Sequence, residues 1–266
     1  MDLLCPICKS PLLKQENTWK CNNRHSFDIA RQGYVNLLAV QQKHSLNPGD
    51  TRQQVLARRS FLECGFYAPI ANALCDVAAF SGCTGPILDV GCGEGYYGTR
   101  LASTLGAELV GLDISKEAVR CAAGRYKDAL WLCSTAAHLP VADRSVGLVI
   151  SLFALTVPED FHRVLVPEGS FIQVLAEEDH LLGLKSIIYP ELTHKPKESS
   201  PEVPGFRLEK SIPVKFTFTV EGEQVQNLLC MTPHFYRISR EGAERLQNTD
   251  HLTDTASCVI NLYRPL

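Results

Sequence analysis

Apolar positions along most of the chain fall either into short continuous runs or into helical spacing. Residues 86–90 and 108–112 are two largely apolar runs, and residues 96–105 between them repeat apolar side chains at helical intervals. Further strands are predicted near residues 129–133, 145–152, 171–176, 214–220 and 257–263, and further helices near residues 55–62, 70–80 and 115–125. Strands that alternate with helices in this order predict an α/β fold built on a largely parallel sheet.

The loop between the first predicted strand and its helix carries a chemical signal. The strand ends in Asp89, and glycines follow at Gly91, Gly93 and Gly95. Glycine tolerates positive φ and has no Cβ, so such a loop turns sharply and lets a ligand approach the backbone. Asp113 ends the second predicted strand, where a carboxylate is placed to accept hydrogen bonds from a ribose diol. The pair indicates a nucleoside cofactor, and a purely structural glycine turn is the alternative.

The spacing of these glycines bears on which cofactor binds. A dinucleotide fold spaces its glycines G-x-G-x-x-G, whereas this chain reads D-x-G-x-G-x-G from Asp89 onward. The arrangement resembles the first motif of S-adenosylmethionine-dependent methyltransferases. This cofactor has no pyrophosphate, so the helix N-terminus need not hold one, and Asp89 is free to serve the amino acid part.

The N-terminal segment has the spacing of a metal site. Cys5, Cys8, Cys21 and His25 follow one another as C-x2-C-x12-C-x3-H. Three thiolates and one imidazole fill the tetrahedron of a structural zinc ion, so we expect one Zn²⁺ that holds the fold and takes no part in chemistry. Two alternatives stay open: a redox C-x-x-C pair, and a site in which another group replaces His25.

Composition and charge favour an RNA partner for the front of the chain. Of the 266 residues, 45% are apolar, which is enough for the core of one domain and a small module. Residues 1–60 contain nine basic and four acidic side chains, which give a net charge of +5. The remaining residues contain 17 basic and 25 acidic side chains, which give a net charge of −8. Lys9, Lys14, Lys20 and Arg24 alternate with aromatic residues around the metal ligands, which suits phosphate contact and base stacking.

The start lacks signal-peptide regions and no apolar run reaches 18 residues, so we expect a cytoplasmic protein without a membrane partner.

A polar stretch with a Pro-Gly turn, residues 41–53, separates the metal module from the rest of the chain. We therefore predict a zinc-binding RNA-recognition module over residues 1–45, a linker with the start of a connecting helix over 46–60, and a methyltransferase domain over 61–266. A second polar segment, residues 195–201, is rich in Pro and Ser and is predicted to be either a lid over the site or a surface loop.

Several short segments spread over the whole chain act together as a signature. They are the zinc spacing and residues 33–38, 47–50, 57–62, 89–97, 139–140 and 231–233. In this order they resemble the bacterial 23S ribosomal RNA guanine-N1 methyltransferases. The resemblance implies a zinc-ribbon-like module on a Rossmann-like, seven-stranded class I methyltransferase domain. It also implies S-adenosylmethionine-dependent methylation of a guanine N1 in a hairpin of 23S ribosomal RNA, commonly by a homodimer.

The resemblance also assigns site residues. It implies cofactor contacts at Tyr67, Gly95, Tyr96 and His180. With the loop and strand ends, the predicted cofactor site comprises Tyr67, Asp89, Gly91, Gly93, Gly95, Tyr96, Asp113 and His180. The segment after the fourth strand is expected to border the target base, where Phe153 is placed to stack on a guanine. Relatives place Pro where this chain has Leu155, a departure that bears on the target more than on the cofactor.

The catalytic residues are less well defined by the sequence. Candidates by position for removing the N1 proton are His138, Glu94 and Asp160, and Phe153 or Tyr97 would stack on a base extruded from paired RNA. Two other functions stay open. A methyltransferase for a small molecule or protein would keep its activity without the metal module, and a non-catalytic RNA-binding protein would retain the cofactor fold but transfer no methyl group.

Overall fold

The protein is described by a computed structural model over residues 1–39, 48–192 and 197–266. The strands are β1 (Leu13–Gln15), β2 (Thr18–Lys20), β3 (Ser26–Asp28), β4 (Tyr34–Asn36), β5 (Ile87–Val90), β6 (Leu109–Asp113), β7 (Leu130–Cys133), β8 (Val146–Leu152), β9 (Leu165–Ala176), β10 (Phe206–Glu221) and β11 (His251–Pro265). The α-helices are α1 (Arg52–Glu63), α2 (Ala68–Ser81), α3 (Tyr96–Leu105), α4 (Lys116–Arg125), α5 (Pro158–Val164), α6 (Leu182–Ile188), α7 (Glu223–Cys230) and α8 (Arg240–Gln247). Within these described ranges, no helix is long and apolar enough to span a bilayer.

The larger sheet has the strand order β10-β11-β9-β8-β5-β6-β7-β4. β5 lies at its centre and pairs in parallel with β6 and β8. β5 and β8 are buried along their whole length, which explains why both are nearly continuous apolar runs. β11 runs antiparallel to β9 and to β10, so a pair of long antiparallel strands closes one side of the sheet. The predicted Rossmann-like class I methyltransferase fold is confirmed.

β4 is an eighth strand of this sheet that the prediction of seven strands did not include. It pairs in parallel with β7, with Tyr34 opposite Trp131. An antiparallel bridge between Leu3 and Val141 forms a second junction. Both of these side chains are fully buried in one apolar cluster. The N-terminal residues therefore share a core with the sheet.

A small antiparallel sheet of β1, β2 and β3 forms the rest of the N-terminal module. Trp19 lies opposite Phe27 across this sheet. Both rings are partly buried against the apolar cluster that contains Cys5 and Cys21. They therefore belong to the small core around the predicted metal ligands.

α1 begins with a capping box that the polar stretch before it provides. The N–H of Gln54 donates to the hydroxyl of Thr51 at 3.4 Å, and the N–H of Thr51 donates to the side-chain carbonyl of Gln54 at 3.0 Å. Residues 40–47, which hold the earlier part of the predicted linker, lie outside the described residues.

Side-chain contacts tie the start of α1 to the site. The hydroxyl of Ser115, which also caps α4, donates to the carbonyl of Asp50 at 2.6 Å. Arg58 forms an ion pair with Asp50 and donates to the carbonyl of Met231 at 3.2 Å. α1 is thereby connected both to α4 and to the segment that follows α7.

Candidate active site and metal centre

The glycine loop joins the end of β5 to the start of α3. Its glycines adopt left-handed conformations, with φ of 79° at Gly91, 55° at Gly93 and 89° at Gly95. A Cβ at Gly91 would lie 2.5 Å from Cβ of Ala154, and one at Gly95 would lie 2.5 Å from the Trp131 ring. The loop therefore has no space for a side chain at two of its three glycines, and backbone lines the floor of the site.

Two carboxylates, the buried Asp89 and the partly buried Asp113, lie beside this loop. Asp113 accepts hydrogen bonds from the N–H of Gly93 at 2.9 Å and of Ser115 at 2.8 Å, which fixes its orientation. The pKa of Asp89 is raised to about 7, mainly by burial and next by the negative charge of Asp113. Burial also raises the pKa of Asp113, although its backbone hydrogen bonds act in the opposite direction. This pair favours a ligand with positive charge, such as the ammonium and sulfonium groups of S-adenosylmethionine.

A cavity of about 1350 Å³ opens above the loop. Seven of the eight predicted cofactor residues line it: Tyr67, Asp89, Gly91, Gly93, Tyr96, Asp113 and His180. Gly95 is not among the lining residues and packs against Trp131 beneath the loop. A pocket for one drug-sized ligand measures roughly 300–1,000 Å³, so the cavity has room for a second group beside the cofactor.

Tyr67 and His180 form a hydrogen-bonded pair in the cavity wall, with 3.4 Å between Oη and Nε2. The N–H of Ser257 donates to Nδ1 of His180 at 3.1 Å, so the neutral imidazole carries its proton on Nε2. Nε2–H donates to Tyr67, whose own O–H finds no other acceptor among the described residues. Burial is the main cause that lowers the pKa of His180 to about 4, and the positive charges of Lys185 and Lys197 lower it further. Burial raises the pKa of Tyr67. The Tyr67 hydroxyl is therefore a donor available to a ligand, which fits the expected cofactor contact.

Two of the positional candidates for catalysis, His138 and Asp160, do not line the cavity. His138 is exposed at the end of a 3-10 helix. Asp160 accepts a hydrogen bond from the N–H of Leu139 at 2.7 Å and forms an ion pair with Arg163 at 3.0 Å. Their positions in the chain predicted that both residues would lie near the site, but neither side chain lines the cavity.

Glu94, another positional candidate, lies in the cavity wall. It is 2% exposed, and within the described parts of the chain its carboxylate oxygens have no hydrogen-bond donor. Arg59 lies 3.7 Å away. Burial raises the pKa of Glu94 to about 7, against the lowering by Arg59. Glu94 therefore titrates near neutral pH at the edge of the site.

Phe153 lies at the boundary between the glycine loop and the rest of the cavity. It has a left-handed φ of 54° although it is not glycine, and 42% of its surface is exposed. Its ring stacks on the imidazole of His180, with centroids 6.0 Å apart and planes at 29°. A bulky residue held in this uncommon conformation with an exposed ring is typical of a binding position. Leu155, where the chain departs from its relatives, is 67% exposed and also lines the cavity.

Further cavity residues were not assigned to the site from the sequence. They are Gln54 and Arg58 of α1, Lys185 of α6, and Tyr189, His234, Tyr236 and Arg237. α6 and the 3-10 helix Pro233–Tyr236 bring the last five residues of this set together with the ends of β8 and β9. The family resemblance had included two neighbouring segments, residues 57–62, which contain Arg58, and residues 231–233, which precede His234 and Tyr236.

The predicted lid segment is described only in part, because residues 193–196 lie outside the described ranges. The carbonyl of Ser199 accepts a hydrogen bond from the side chain of Asn261 at 2.7 Å. The carbonyl of Pro201 accepts one from the hydroxyl of Tyr263 at 2.8 Å. Residues 199–201 are therefore attached to β11.

The predicted metal ligands Cys5, Cys8, Cys21 and His25 converge, with all four ligand atoms within 4.8 Å of one another. The sulfurs of Cys8 and Cys21 are 3.7 Å apart, and Nδ1 of His25 is 3.4 Å from the sulfur of Cys21 and 3.5 Å from that of Cys5. Tetrahedral zinc with bonds of about 2.1–2.3 Å places its ligand atoms roughly 3.5–3.8 Å apart. The residues therefore fit a zinc ion with no open position, and the convergence of four ligands opposes the redox alternative.

Two tight turns present these ligands. The N–H of Lys9 donates to the carbonyl of Cys5 at 2.8 Å, and the N–H of Arg24 donates to the carbonyl of Cys21 at 3.0 Å. Lys9 and Arg24 have φ of 60° and 66°, and they close turns with three and two intervening residues, respectively. Hydrogen bonds, mainly from Ser10, lower the pKa of the Cys8 thiol to about 5. The lower pKa favours the thiolate that zinc requires.

Two family models match the chain. The zinc-ribbon model described as "RlmA, N-terminal" matches residues 3–46. The model described as "Methyltransferase domain" matches residues 87–169. The two matches cover the converging metal ligands and the strands around the glycine loop, respectively.

Curated relatives match most of the chain. The 23S rRNA (guanine(748)-N(1))-methyltransferase of Streptomyces fradiae is 36% identical over 68% of this chain and 66% of its own length. A Bacillus subtilis protein, provisionally named a 23S rRNA (guanine-N(1)-)-methyltransferase, is 30% identical over 86% of this chain and 85% of its own length. A protein of Micromonospora griseorubida with the same provisional name is 37% identical over 68% of each chain.

A solved structure supports the fold alone. It is a complex between the Haloferax volcanii Trm112 methyltransferase activator and its provisionally identified methyltransferase. The match has a TM-score of 0.51 and 20% identity, and it covers 82% of this chain and 98% of the other. The arrangement of strands and helices is therefore shared with a structure whose sequence has diverged widely.

Proposed function

The chain belongs to the family of 23S rRNA (guanine-N1)-methyltransferases, and from this premise we propose that it methylates N1 of a guanine in 23S ribosomal RNA. It is an S-adenosylmethionine-dependent methyltransferase with a zinc ribbon. The observation that carries the proposal is the cavity, which has carboxylates and glycine backbone at one end and aromatic and basic side chains at the other. Such a cavity suits a cationic nucleoside donor beside a nucleotide acceptor.

We propose that the predicted cofactor residues hold the donor. Asp113, already oriented by two backbone N–H groups, accepts from the ribose hydroxyls. Asp89 provides negative charge for the amino acid part, and the Tyr67 hydroxyl donates to an acceptor of the same ligand. Bound there, S-adenosylmethionine supplies a methyl group already activated by the sulfonium. The protein therefore has to align the acceptor and exclude water.

On the acceptor side, guanine N1 carries a proton that must leave as the new bond forms. Glu94 is our candidate acceptor for this proton because it lines the cavity and has a pKa of about 7. A guanine in paired RNA must first leave the duplex, and an aromatic platform stabilises the extruded base. Phe153 is exposed beside the glycine loop and is our candidate for that platform.

The organisation of the protein is proposed on the same basis. Residues 1–45 recognise RNA, residues 46–60 connect, and residues 61–266 bind the donor and transfer the methyl group. The excess of basic residues in the first 60 positions supports the RNA-binding role. We place the protein in the cytoplasm, where ribosomal RNA is modified, and expect a homodimer.

The direct test is methylation of ribosomal RNA from a strain that lacks the gene. Full-length, zinc-loaded protein with radiolabelled S-adenosylmethionine is expected to label 23S RNA at a single guanine, and to leave RNA from the parent strain unlabelled. Mapping by reverse-transcriptase stops identifies N1, because methylation there blocks base pairing. Donor binding without any labelled RNA would overturn the proposal. Activity that survives removal of residues 1–45 would favour a small-molecule or protein substrate.

A further inference from the structure

The half of the cavity away from the glycine loop has its own chemistry. Its wall comes from the loop after β8, the end of β9, α6 and the 3-10 helix Pro233–Tyr236. The two halves touch where Ala154 packs on Gly91, so a ligand in this half lies next to the donor. Phe153 presents its ring at this boundary, supported on its inner side by the ring of His180.

Three cationic side chains converge on this half of the cavity: Lys185, Lys197 and Arg237. The ammonium of Lys185 lies 3.5 Å from the carbonyl of Glu178, and that of Lys197 lies 3.3 Å from the carbonyl of Ala176. Both cations are thus held at the carboxyl end of β9, the edge of the sheet where ligands bind.

These cations have no direct ion-pair partner among the described residues. Three acids, Glu178, Glu191 and Glu198, also line the cavity. However, no carboxylate in the described ranges forms an ion pair with any of the three cations, whereas Arg58, which also lines the cavity, is paired with Asp50. The pKa of His234 is lowered mainly by burial and then by the positive charges of Lys185, Arg237 and Lys197. All three cations therefore lie close enough to His234 to act on it. Clustered cations without a direct ion-pair partner favour an anionic ligand.

An aromatic and hydrogen-bonding wall completes this region. Tyr189 and His234 share a hydrogen bond of 2.8 Å between Oη and Nδ1, which fixes both rings. Tyr236 is 65% exposed and donates to the side-chain carbonyl of Gln54 at 2.6 Å, which holds its ring at the mouth. Exposed and fixed aromatic rings beside cations are the combination with which proteins bind unpaired nucleotides.

We propose that this half of the cavity is a subsite for one extruded nucleotide of the RNA, with Phe153 stacking on its base and Lys185, with Lys197 and Arg237, contacting its flanking phosphates. The proposal rests on the proposed function, because it assumes an RNA substrate. It adds a phosphate site inside the methyltransferase domain, separate from the basic zinc module. Binding of the RNA then depends on both regions.

The test uses full-length, zinc-loaded protein, a 23S ribosomal RNA transcript and S-adenosylhomocysteine. Phe153→Ala is expected to weaken RNA binding about tenfold or more, since one stacked base contributes that much, and to leave the Kd for S-adenosylhomocysteine unchanged. Lys185→Met is expected to reduce the slope of log Kd against log salt by about one phosphate contact.

Phe80 and Lys210 supply matched controls. Phe80 is 58% exposed, the ammonium of Lys210 lies 4.0 Å from its ring centroid, and neither residue lines the cavity. Phe80→Ala and Lys210→Met should therefore leave RNA binding and its salt slope unchanged. If Phe153→Ala does not fold, Phe153→Leu keeps the apolar bulk without the aromatic face, and Phe153→Tyr should retain binding.

The outcomes separate this proposal from the proposed function. If the wild-type protein methylates the transcript but the Phe153 and Lys185 variants behave like their controls, the subsite is wrong and the function stands. If the wild-type protein binds S-adenosylhomocysteine but methylates no RNA, the proposed function itself fails. Weaker RNA binding by Phe153→Ala and a smaller salt slope for Lys185→Met, with donor binding intact, support the subsite.

Discussion

The backbone N–H of Ser257 donates a hydrogen bond to Nδ1 of His180, and this contact sets the tautomer of the neutral imidazole. A protonated ring would place a second N–H against that donor. Because the partner is a backbone group in β11, the tautomer is set by the fold and does not depend on a bound ligand. The Tyr67 hydroxyl is directed as a donor for the same reason.

This arrangement predicts how His180 affects stability as pH changes. The pKa of His180 is about 4 in the folded protein, below its ordinary value of 6.5, so the unfolded chain binds more protons between these values. Stability is therefore lost as pH falls from 6.5 toward 4. Between pH 7.5 and 5 the stability advantage of wild type over His180→Gln should shrink by about 2 kcal/mol. Urea unfolding at several pH values measures it, with exposed His138→Gln as the control, and equal slopes for wild type and His180→Gln would contradict the assignment.

Asp89 predicts a second pH dependence, which concerns donor binding and has the same direction, because affinity also increases with pH. Its pKa is about 7 in the free protein, and a ligand with positive charge stabilises the carboxylate, so donor binding releases a proton. The affinity for S-adenosylmethionine should rise about tenfold from pH 6 to pH 8 and then level off. Calorimetry in two buffers with different ionisation enthalpies measures both the affinity and the proton release.

A variant pair assigns this pH dependence to Asp89. Glu94 has a similar pKa and also lines the cavity, so Glu94→Gln is the matched comparison. Asp89→Asn should lose the pH dependence and bind the donor at least tenfold more weakly at pH 8, whereas Glu94→Gln should retain most of it. If only Glu94→Gln flattens the profile, Glu94 and not Asp89 is the group that senses the donor.

The contact between Gly91 and Ala154 predicts a rescue. Alanine at Gly91 would need both a left-handed φ of 79° and a Cβ contact of 2.5 Å, whereas Gly106 has φ of 63° and open space around it. Gly106→Ala should lower the free energy of unfolding by about 1–2 kcal/mol, the cost of that backbone conformation alone. Gly91→Ala should cost more and reduce donor binding at least tenfold. Ala154→Gly in the Gly91→Ala background should restore binding in part, and a Gly91→Ala protein no worse than Gly106→Ala would contradict the packing.

Local signals in the sequence predicted the parts of the site that are built from backbone and spacing. The glycine loop, the helix over residues 96–105 and the four converging metal ligands depend on residue types at fixed intervals, so they could be read directly. β4 could not, because its three residues, Tyr34–Asn36, are too short to show a period and gain their pairing from β7. β10 was predicted only over 214–220, since its first residues are mostly exposed and include charged side chains at the edge of the sheet.

The spacing of residues in the sequence could not predict which side chains point into the cavity. His138 and Asp160 follow the expected strands in the chain, but Asp160 is directed toward Arg163. Conversely, Lys185 and His234 reach the cavity from distant segments, and the spacing of residues around them does not predict a site position. Tyr67 and His180 were expected only through the family resemblance, and their pairing depends on tertiary contacts with β11.

The zinc site predicts separable effects on RNA and donor binding. Cys8→Ser removes one of four ligands, and a structural zinc ion contributes roughly 10–16 kcal/mol in isolated zinc-finger peptides, so the N-terminal module should lose its order. Native mass spectrometry should show the loss of one zinc ion per chain, and hydrogen exchange should rise over residues 1–39. RNA affinity should fall at least tenfold, while the Kd for S-adenosylmethionine changes little because the donor site lies in another part of the sheet. Cys64→Ser, at an exposed thiol after α1, is the matched control, and a Cys8→Ser protein that kept its zinc would show that the three remaining ligands are sufficient.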